Sequence, residues 1–254
     1  MSLTQEVLPL APITEASRGE LCERVYESLR DAILRGALPP GARIIEEALA
    51  QQLEVSRAPL RQALLLLKGE GLLVGESTRT TRVVSLDLES IRELHMLRVL
   101  LESVACQHAA IHITTEEIAE IENILSDMQA ASEAGDRQAV ARLDYAFHQA
   151  VCTASRLPRL VEMWERQHVL VRLWLNMVGD TLSEHHDHIA ARHRQILDAV
   201  LKGHPDEIFD EVLSHVYFVG SALQTERRRW AAQQPRVTAP GPLRREPSTA
   251  EAAR

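Results

Sequence analysis

Apolar residues recur at helical spacing along most of this chain, and the interruptions divide it into elements. From Leu21, the positions Val25, Leu29, Ile33 and Leu34 mark a helix that stops near Gly36. Leu38-Pro-Pro-Gly41 reads as a turn, and Ile44-Ile45 predicts a short strand. A second helix is expected over Glu46 to Gln52. A third runs from its N-cap Ser56 to about Gly69, with Pro59 early in it, where a missing N–H is tolerated, and Gly71 past its end. Leu72-Leu73-Val74 and Arg82-Val83-Val84 are strand-like runs on either side of a polar tip. Three helices followed by a two-stranded wing form a winged helix-turn-helix pattern.

After Asp87 every segment is helical in period. Helices are expected at about 88–111, 115–134, 136–153, 158–179, 183–202 and 205–228. Asp87, Thr114, Ser155 and Asp206 lie at or near the starts, and Gly135, Gly179 and Gly203 at the breaks. Short connections between six helices predict an antiparallel all-α bundle. The fold class is therefore mainly α. Residues 1–19 read as a flexible arm, 20–85 as the winged domain, 86–229 as the helical domain and 230–254 as a disordered tail, with four prolines and few large apolar groups.

Composition adds four constraints. Aromatics make up only 4% of the chain while Ala and Leu dominate, which suits helix-on-helix packing. No apolar run approaches the roughly 20 residues that span a bilayer, so no membrane partner is expected. Cys22, Cys106 and Cys152 show no paired spacing, and no secretory signal is evident, so a reducing, cytoplasmic compartment is the simplest reading. The net charge of −8 is unevenly placed: residues 21–85 hold nine Lys/Arg against eight Asp/Glu, and residues 86–229 hold 14 against 23. The acidity thus belongs to the helical region, and a near-neutral winged domain can bind DNA if its arginines share one face.

The stretch Leu49 to Leu73 carries the chemistry of the first region. Ser56, Arg57 and Arg61 occupy the first turns of an amphipathic helix that can enter a major groove, with phosphates at its N-terminus and base edges met by arginine. The match extends over both flanks: Ile33-Leu-Arg-Gly-Ala-Leu-Pro-Pro-Gly41, Leu49-Ala50, Val55-Ser-Arg-Ala-Pro-Leu-Arg61, Ala63-Leu64 and Glu70-Gly-Leu72. On these residues the region resembles the GntR family of bacterial transcription regulators. The resemblance implies that Ser56, Arg57 and Arg61 contact DNA. Family members of the fatty-acid-responsive branch can carry a DNA-contacting arginine at position 47, where this chain has Glu47, so that contact is not carried over. The wing also departs from the pattern, with Thr80 where a glycine is usual. Arg79 is a candidate minor-groove contact, its alternative being a solvated surface residue. One recognition helix covers a half-site, so a homodimer on double-stranded operator DNA is expected.

In the second region Asp144 and His148 are spaced i, i+4 and share a helix face, while His193 and His215 sit among apolar positions of two later helices. A carboxylate and three imidazoles suit a divalent transition metal such as Zn, Ni, Mn or Fe. Any one of these histidines alone would more simply be a packing residue. Asp144-Tyr-Ala-Phe-His148, His193-Arg-Gln-Ile-Leu-Asp-Ala199 with Gly203, His215-Val and Leu94-His-Met-Leu-Arg98 with Leu101-Glu102 resemble the C-terminal effector (FCD-type) domain of the FadR-like branch. That resemblance implies a helical pocket, often holding a metal on the Asp and three His, for a small organic-acid effector. Arg98 and Arg172 are candidates to neutralise the effector carboxylate. For Arg98 the alternative is a salt bridge to Glu102, one turn away. The whole reads as a ligand-responsive regulator, most simply a repressor and not an enzyme. The alternatives are a metal-dependent enzyme with an accessory DNA domain, or a metal-free dimerisation bundle behind the DNA reader. His185-His-Asp-His188 reads as an exposed helix start, and Arg227-Arg-Arg229 as a solvated helix end.

Overall fold

The computed structural model describes residue 10, residue 13 and residues 18–75, 80–178 and 188–217. Arg79 at the wing tip, the stretch 179–187, the last part of the expected helix 205–228 and the expected tail lie outside the described residues. The elements are α1 (Arg18–Leu34), α2 (Glu46–Gln52), α3 (Arg57–Gly69), β1 (Leu73–Val74) and β2 (Arg82–Val83). They are followed by α4 (Leu88–His112), α5 (Thr115–Glu133), α6 (Arg137–Ala154), α7 (Pro158–Val178) and α8 (Ile189–Lys202), and then α9 (205–217).

The winged unit is built around the apolar stripes expected from its periodicity. Val25, Leu29 and Ile33 of α1 meet Leu49 of α2, Leu60 and Leu67 of α3, and Leu72 and Val83 of the wing in one core. β1 and β2 pair antiparallel, with Leu73 opposite Val83 and Val74 opposite Arg82. The strand expected at Ile44-Ile45 is not formed. Pairing is centred one residue earlier, as an isolated bridge between Arg43 and Arg82, because Ile45 already serves as N-cap of α2 and ends the extended run. Two described positions of the expected flexible arm are docked. Leu10 and Ile13 pack on this core, and the Ile13 N–H donates to the Leu53 carbonyl at 3.1 Å.

Gly75 leaves β1 at φ 119°, and a Cβ there would lie 2.4 Å from the Thr80 carbonyl oxygen, so the strands can close only around glycine. The turn between α2 and α3 makes the same left-handed demand, but meets it with Glu54 at φ 56°.

In the helical unit, Asp87 caps α4 by accepting from the Ser90 N–H at 2.9 Å. Thr114 and Glu117 form a reciprocal capping box at the start of α5, and Asp136 caps α6. Ser155, expected near a helix start, instead ends α6, and its hydroxyl accepts from the Leu157 N–H as the chain turns into α7. Val99, Ile121, Leu125, Met128, Phe147, Val151, Ile196, Leu197, Val212 and Val216 form the core between α4, α5, α6, α8 and α9.

Helix α7 belongs to both units. Trp164 packs with Ala105 and Cys152 inside the bundle, whereas Val169 and Leu173 are buried in the core of the winged unit. Leu170 lies against Gly71 at the end of α3. The two units are thus joined by shared apolar packing as well as by the chain between Val83 and Leu88.

The strained turn yields a direct expectation. Glu54→Gly relieves the left-handed side-chain clash and raises stability by about 0.5–1 kcal/mol, after allowing for the entropy glycine adds to the unfolded chain. The readout is a higher urea midpoint at unchanged slope.

Candidate metal centre and DNA-reading face

Helical spacing on α6 puts Asp144 and His148 on one inward face, with Phe147 edge-on against both the His148 and His193 rings. α8 supplies His193 and α9 supplies His215. One ligand atom from each of Asp144, His148, His193 and His215 lies within 4.8 Å of the others. The three imidazoles are buried, with ring centroids 4.5–5.0 Å apart.

The hydrogen bonds orient these rings for a cation. His193 Nδ1 lies 2.7 Å from the Ile189 carbonyl oxygen, which only accepts, so Nδ1 carries the ring proton. Nε2 faces the Asp144 carboxylate, 3.0 Å from Oδ1. That short approach is filled by a proton on Nε2 donating to Oδ1 or, in its place, by a metal ion bound to both atoms. His215 Nδ1 is buried with no hydrogen-bond partner among the described residues. One oxygen and three nitrogens within reach of one point, with one nitrogen of His215 left without a partner among the described residues, fit a divalent transition metal.

Charge distribution supports the same conclusion. Burial pushes the Asp144 carboxyl up, but its hydrogen bond to His193 and the charges around it hold it well below the usual carboxylate range. Burial lowers His148, against the pull of Glu102, and lowers His215 strongly, reinforced by its histidine neighbours. An ionised carboxylate and neutral imidazoles are the forms that bind metal.

A second layer surrounds the centre, and much of it was not evident from sequence. Arg98 and Glu102, one turn apart on α4, are only 3% and 2% exposed and pair at 2.7 Å from Nε to Oε1, so the salt bridge weighed for Arg98 is formed. Trp164 Nε1 donates to the same Glu102 oxygen at 2.9 Å. Glu102 Oε2 approaches His148 Nδ1 to 3.1 Å, a close polar contact without an aligned hydrogen bond. On the other side of the ring, Arg98 Nη2 lies 2.7 Å from His148 Nε2. Burial raises the Glu102 carboxyl, yet Arg98 and His148 hold it well below its usual range.

Arg98 is therefore at the centre. Arg172 is not; its guanidinium lies 5.4 Å above the Tyr145 ring. Tyr145 also stacks on Trp164 and touches His168, a buried histidine with no hydrogen-bond partner on either ring nitrogen among the described residues. Trp164, His168 and Arg172 recur at i, i+4 along α7. That spacing is the sequence signal available for this row, from which only Arg172 is singled out in the sequence, as a carboxylate partner.

On the winged unit, Ser56 is the N-cap of α3, although its side chain makes no capping hydrogen bond. Ser56, Arg57 and Arg61 are all exposed, while Pro59 and Leu60 are buried beneath them. Each arginine is held by a carboxylate of α2: Arg57 Nη2 by Glu47 Oε1 at 2.7 Å, and Arg61 Nε by Glu46 Oε2 at 2.9 Å. These pairings were not foreseen from sequence. Arg79 lies outside the described residues.

Comparison with known proteins agrees with both halves. Residues 21–83 match the bacterial regulatory proteins of the gntR family, and residues 93–218 match the FCD domain. This chain belongs to the GntR family. Its FCD domain is consistent with the FadR-like branch. It is similar to the uncharacterized HTH-type transcriptional regulator YdhC of Bacillus subtilis, with 30% identity over 193 residues, 75% of this chain and 85% of YdhC. It is also similar to a probable D-xylose utilization operon transcriptional repressor of Paenarthrobacter nicotinovorans, with 30% identity over 78% of this chain and 86% of that protein. The solved structure of E. coli McbR/YncC superposes with a TM-score of 0.69 at 25% identity, covering 82% of this chain and 98% of McbR. This GntR-family protein is thus a DNA-binding transcription regulator with an FCD effector domain, and no described helix is long and apolar enough to cross a membrane.

The second layer predicts that Trp164→Phe, which keeps the stacking on Tyr145 but removes the donor to Glu102, costs about 1.5–3 kcal/mol, the usual range for a hydrogen bond to a charged group. Urea denaturation measures it, and an unchanged midpoint would show that the Trp164 bond contributes nothing net.

Proposed function

We propose that this protein is a cytoplasmic homodimer that represses transcription and is controlled by a small organic acid. Its reader, residues 20–85, contacts double-stranded operator DNA through Ser56, Arg57 and Arg61, with Arg79 reaching the minor groove from the wing. Its helical domain, residues 86–229, holds a divalent transition metal on Asp144, His148, His193 and His215. When bound, the metal supplies Lewis-acidic coordination positions for a carboxylate. Arg98 then neutralises that carboxylate, and Arg172 provides a second positive group behind Tyr145. Zn, Ni, Mn and Fe all suit this donor set.

The observation that carries this reading is the placement of α7. Trp164 on this helix bonds to Glu102 beside the candidate metal centre, while Val169 and Leu173 fill the core of the reader. A shift of the second layer on effector binding therefore moves a helix that the reader is built around. Binding to operator changes because the effector favours one placement of α7 over another. The name of the D-xylose operon relative favours repression.

A homodimer is favoured by the face of α4 that the single chain leaves uncovered. Leu97, Leu100, Val104 and Ile111 are exposed along one stripe of this helix.

The DNA reading is tested with duplexes enriched from genomic fragments by the wild-type protein. Arg61→Ala is expected to weaken binding to the enriched duplex by about 5- to 150-fold, corresponding to 1–3 kcal/mol for a base-reading arginine, and to relax preference at one position in each half-site. A uniform loss on all sequences would instead assign Arg61 to phosphate.

The metal reading is tested separately by elemental analysis. The wild type should carry about one ion per chain, and Asp144→Asn and His193→Ala should each retain ten-fold less or lower. Retention at the wild-type level in both variants would remove these residues as ligands and leave the DNA reading intact.

A further inference from the structure

Arg98 and a metal ion make competing demands on one electron pair. His148 offers the centre its Nε2 atom, 4.0 Å from Asp144 Oδ1, because Nδ1 faces Glu102 on the opposite side of the ring. A neutral imidazole has a single lone pair, on its unprotonated nitrogen. Arg98 Nη2 is 2.7 Å from that same Nε2, and a guanidinium is a donor only. One lone pair cannot serve an N–H donor and a coordinate bond together.

We propose that Arg98 is a displaceable internal cation of the metal centre. It holds His148 Nε2 in the metal-free protein and gives that atom up when a metal binds. This inference rests on the reading of Asp144, His148, His193 and His215 as ligands.

The geometry gives Arg98 a way to move without losing its anchor. Its Nε atom stays bonded to Glu102 Oε1 at 2.7 Å, and Glu102 is steadied in turn by Trp164. The Nη end can therefore turn away while the buried ion pair persists. Net charge gives the exchange a direction. Leaving the histidines aside, Asp144, Glu102 and Arg98 carry one net negative charge, which opposes entry of an organic anion. A divalent ion reverses that to one net positive charge, which a single carboxylate neutralises. Buried charge left unbalanced is costly, so this reversal sets an order: metal first, carboxylate second. The released Nη edge then faces the incoming acid with donors suited to it.

The test uses the full chain and zinc alone as the probe. Zinc affinity is measured by chelator competition for the wild type and for Arg98→Met, which removes the competing donor. The expected result is at least about ten-fold tighter zinc binding in the variant, within the usual span of coupling between two ligands. Since Arg98→Met leaves Glu102 buried without its partner and can fail to fold, Arg98→Met/Glu102→Gln is measured in parallel. Crystal structures grown with chelator and with zinc supply the second readout. Arg98 Nη2 should be within hydrogen-bond distance of His148 Nε2 in the first and displaced, with zinc on that atom, in the second.

Zinc affinity equal to wild type in the folded variants would overturn the proposal. So would a zinc-loaded structure in which Arg98 still holds His148 Nε2; either result leaves the metal site itself standing. A wild type that binds neither zinc nor another divalent transition metal overturns the metal site and this inference together.

Discussion

Ionised groups held out of water at the centre of the helical domain are the constraint to which the rest of the structure answers. Asp144, Glu102 and Arg98 are enclosed by apolar helices, and removing such charges from water costs several kcal/mol each unless partners are supplied. The partners come from every side. His148 is on α6 with Asp144, His193 on α8, His215 on α9, and Trp164 on α7, while Arg98 and Glu102 are on α4. Five helices must be docked together before these charges are satisfied. The same requirement that makes the bundle cooperative also makes it sensitive to whatever binds at its centre.

In the proposed control, helix α7 carries that sensitivity outward. A helix packed on one side into the bundle and on the other into the winged core cannot move for one unit alone. The row Trp164, His168 and Arg172 runs from the Glu102 network past Tyr145, and Val169 with Leu173 is seated among Leu29, Ile33, Leu60 and Leu67. The winged unit meanwhile keeps its arginines tied to carboxylates of α2. Glu46 and Glu47 offset the charge of Arg57 and Arg61, so in the proposed DNA contact these arginines exchange one anionic partner for another. The near-neutral charge of the unit is thus visible residue by residue at its exposed helix.

Much of this was legible in the chain. Apolar spacing located every described helix, and the polar residues Asp87 and Thr114 occupy the caps expected of them. Asp144, His148, His193 and His215, chosen for residue type and helical phase, come together within one coordination shell's reach. Ile44-Ile45 was misread because two β-branched residues favour a strand, yet local preference could not show that Ile45 would be taken by the start of α2. Ser155 was placed at a helix start because serine favours N-caps, whereas its hydroxyl serves the turn between α6 and α7. Glu102 was visible only as part of the effector-domain motif and as a neighbour of Arg98, not as a partner of Trp164 and His148.

The amino-acid sequence by itself determined the helical phases, their caps, the winged pattern, the uneven charge and the identity of the four converging polar residues. These are local properties, set by contacts between residues at most a turn or two apart. Only the tertiary structure decided that Trp164 would donate to Glu102, that Arg98 and Asp144 would address opposite demands of the histidine cluster, and that α7 would complete the core of the DNA reader. Those outcomes join residues separated by 50 positions in the Arg98–His148 pair and 62 in the Glu102–Trp164 pair. Which side chains meet across such distances depends on how whole helices pack, and that is settled only when the apolar faces and the buried charges are satisfied at the same time.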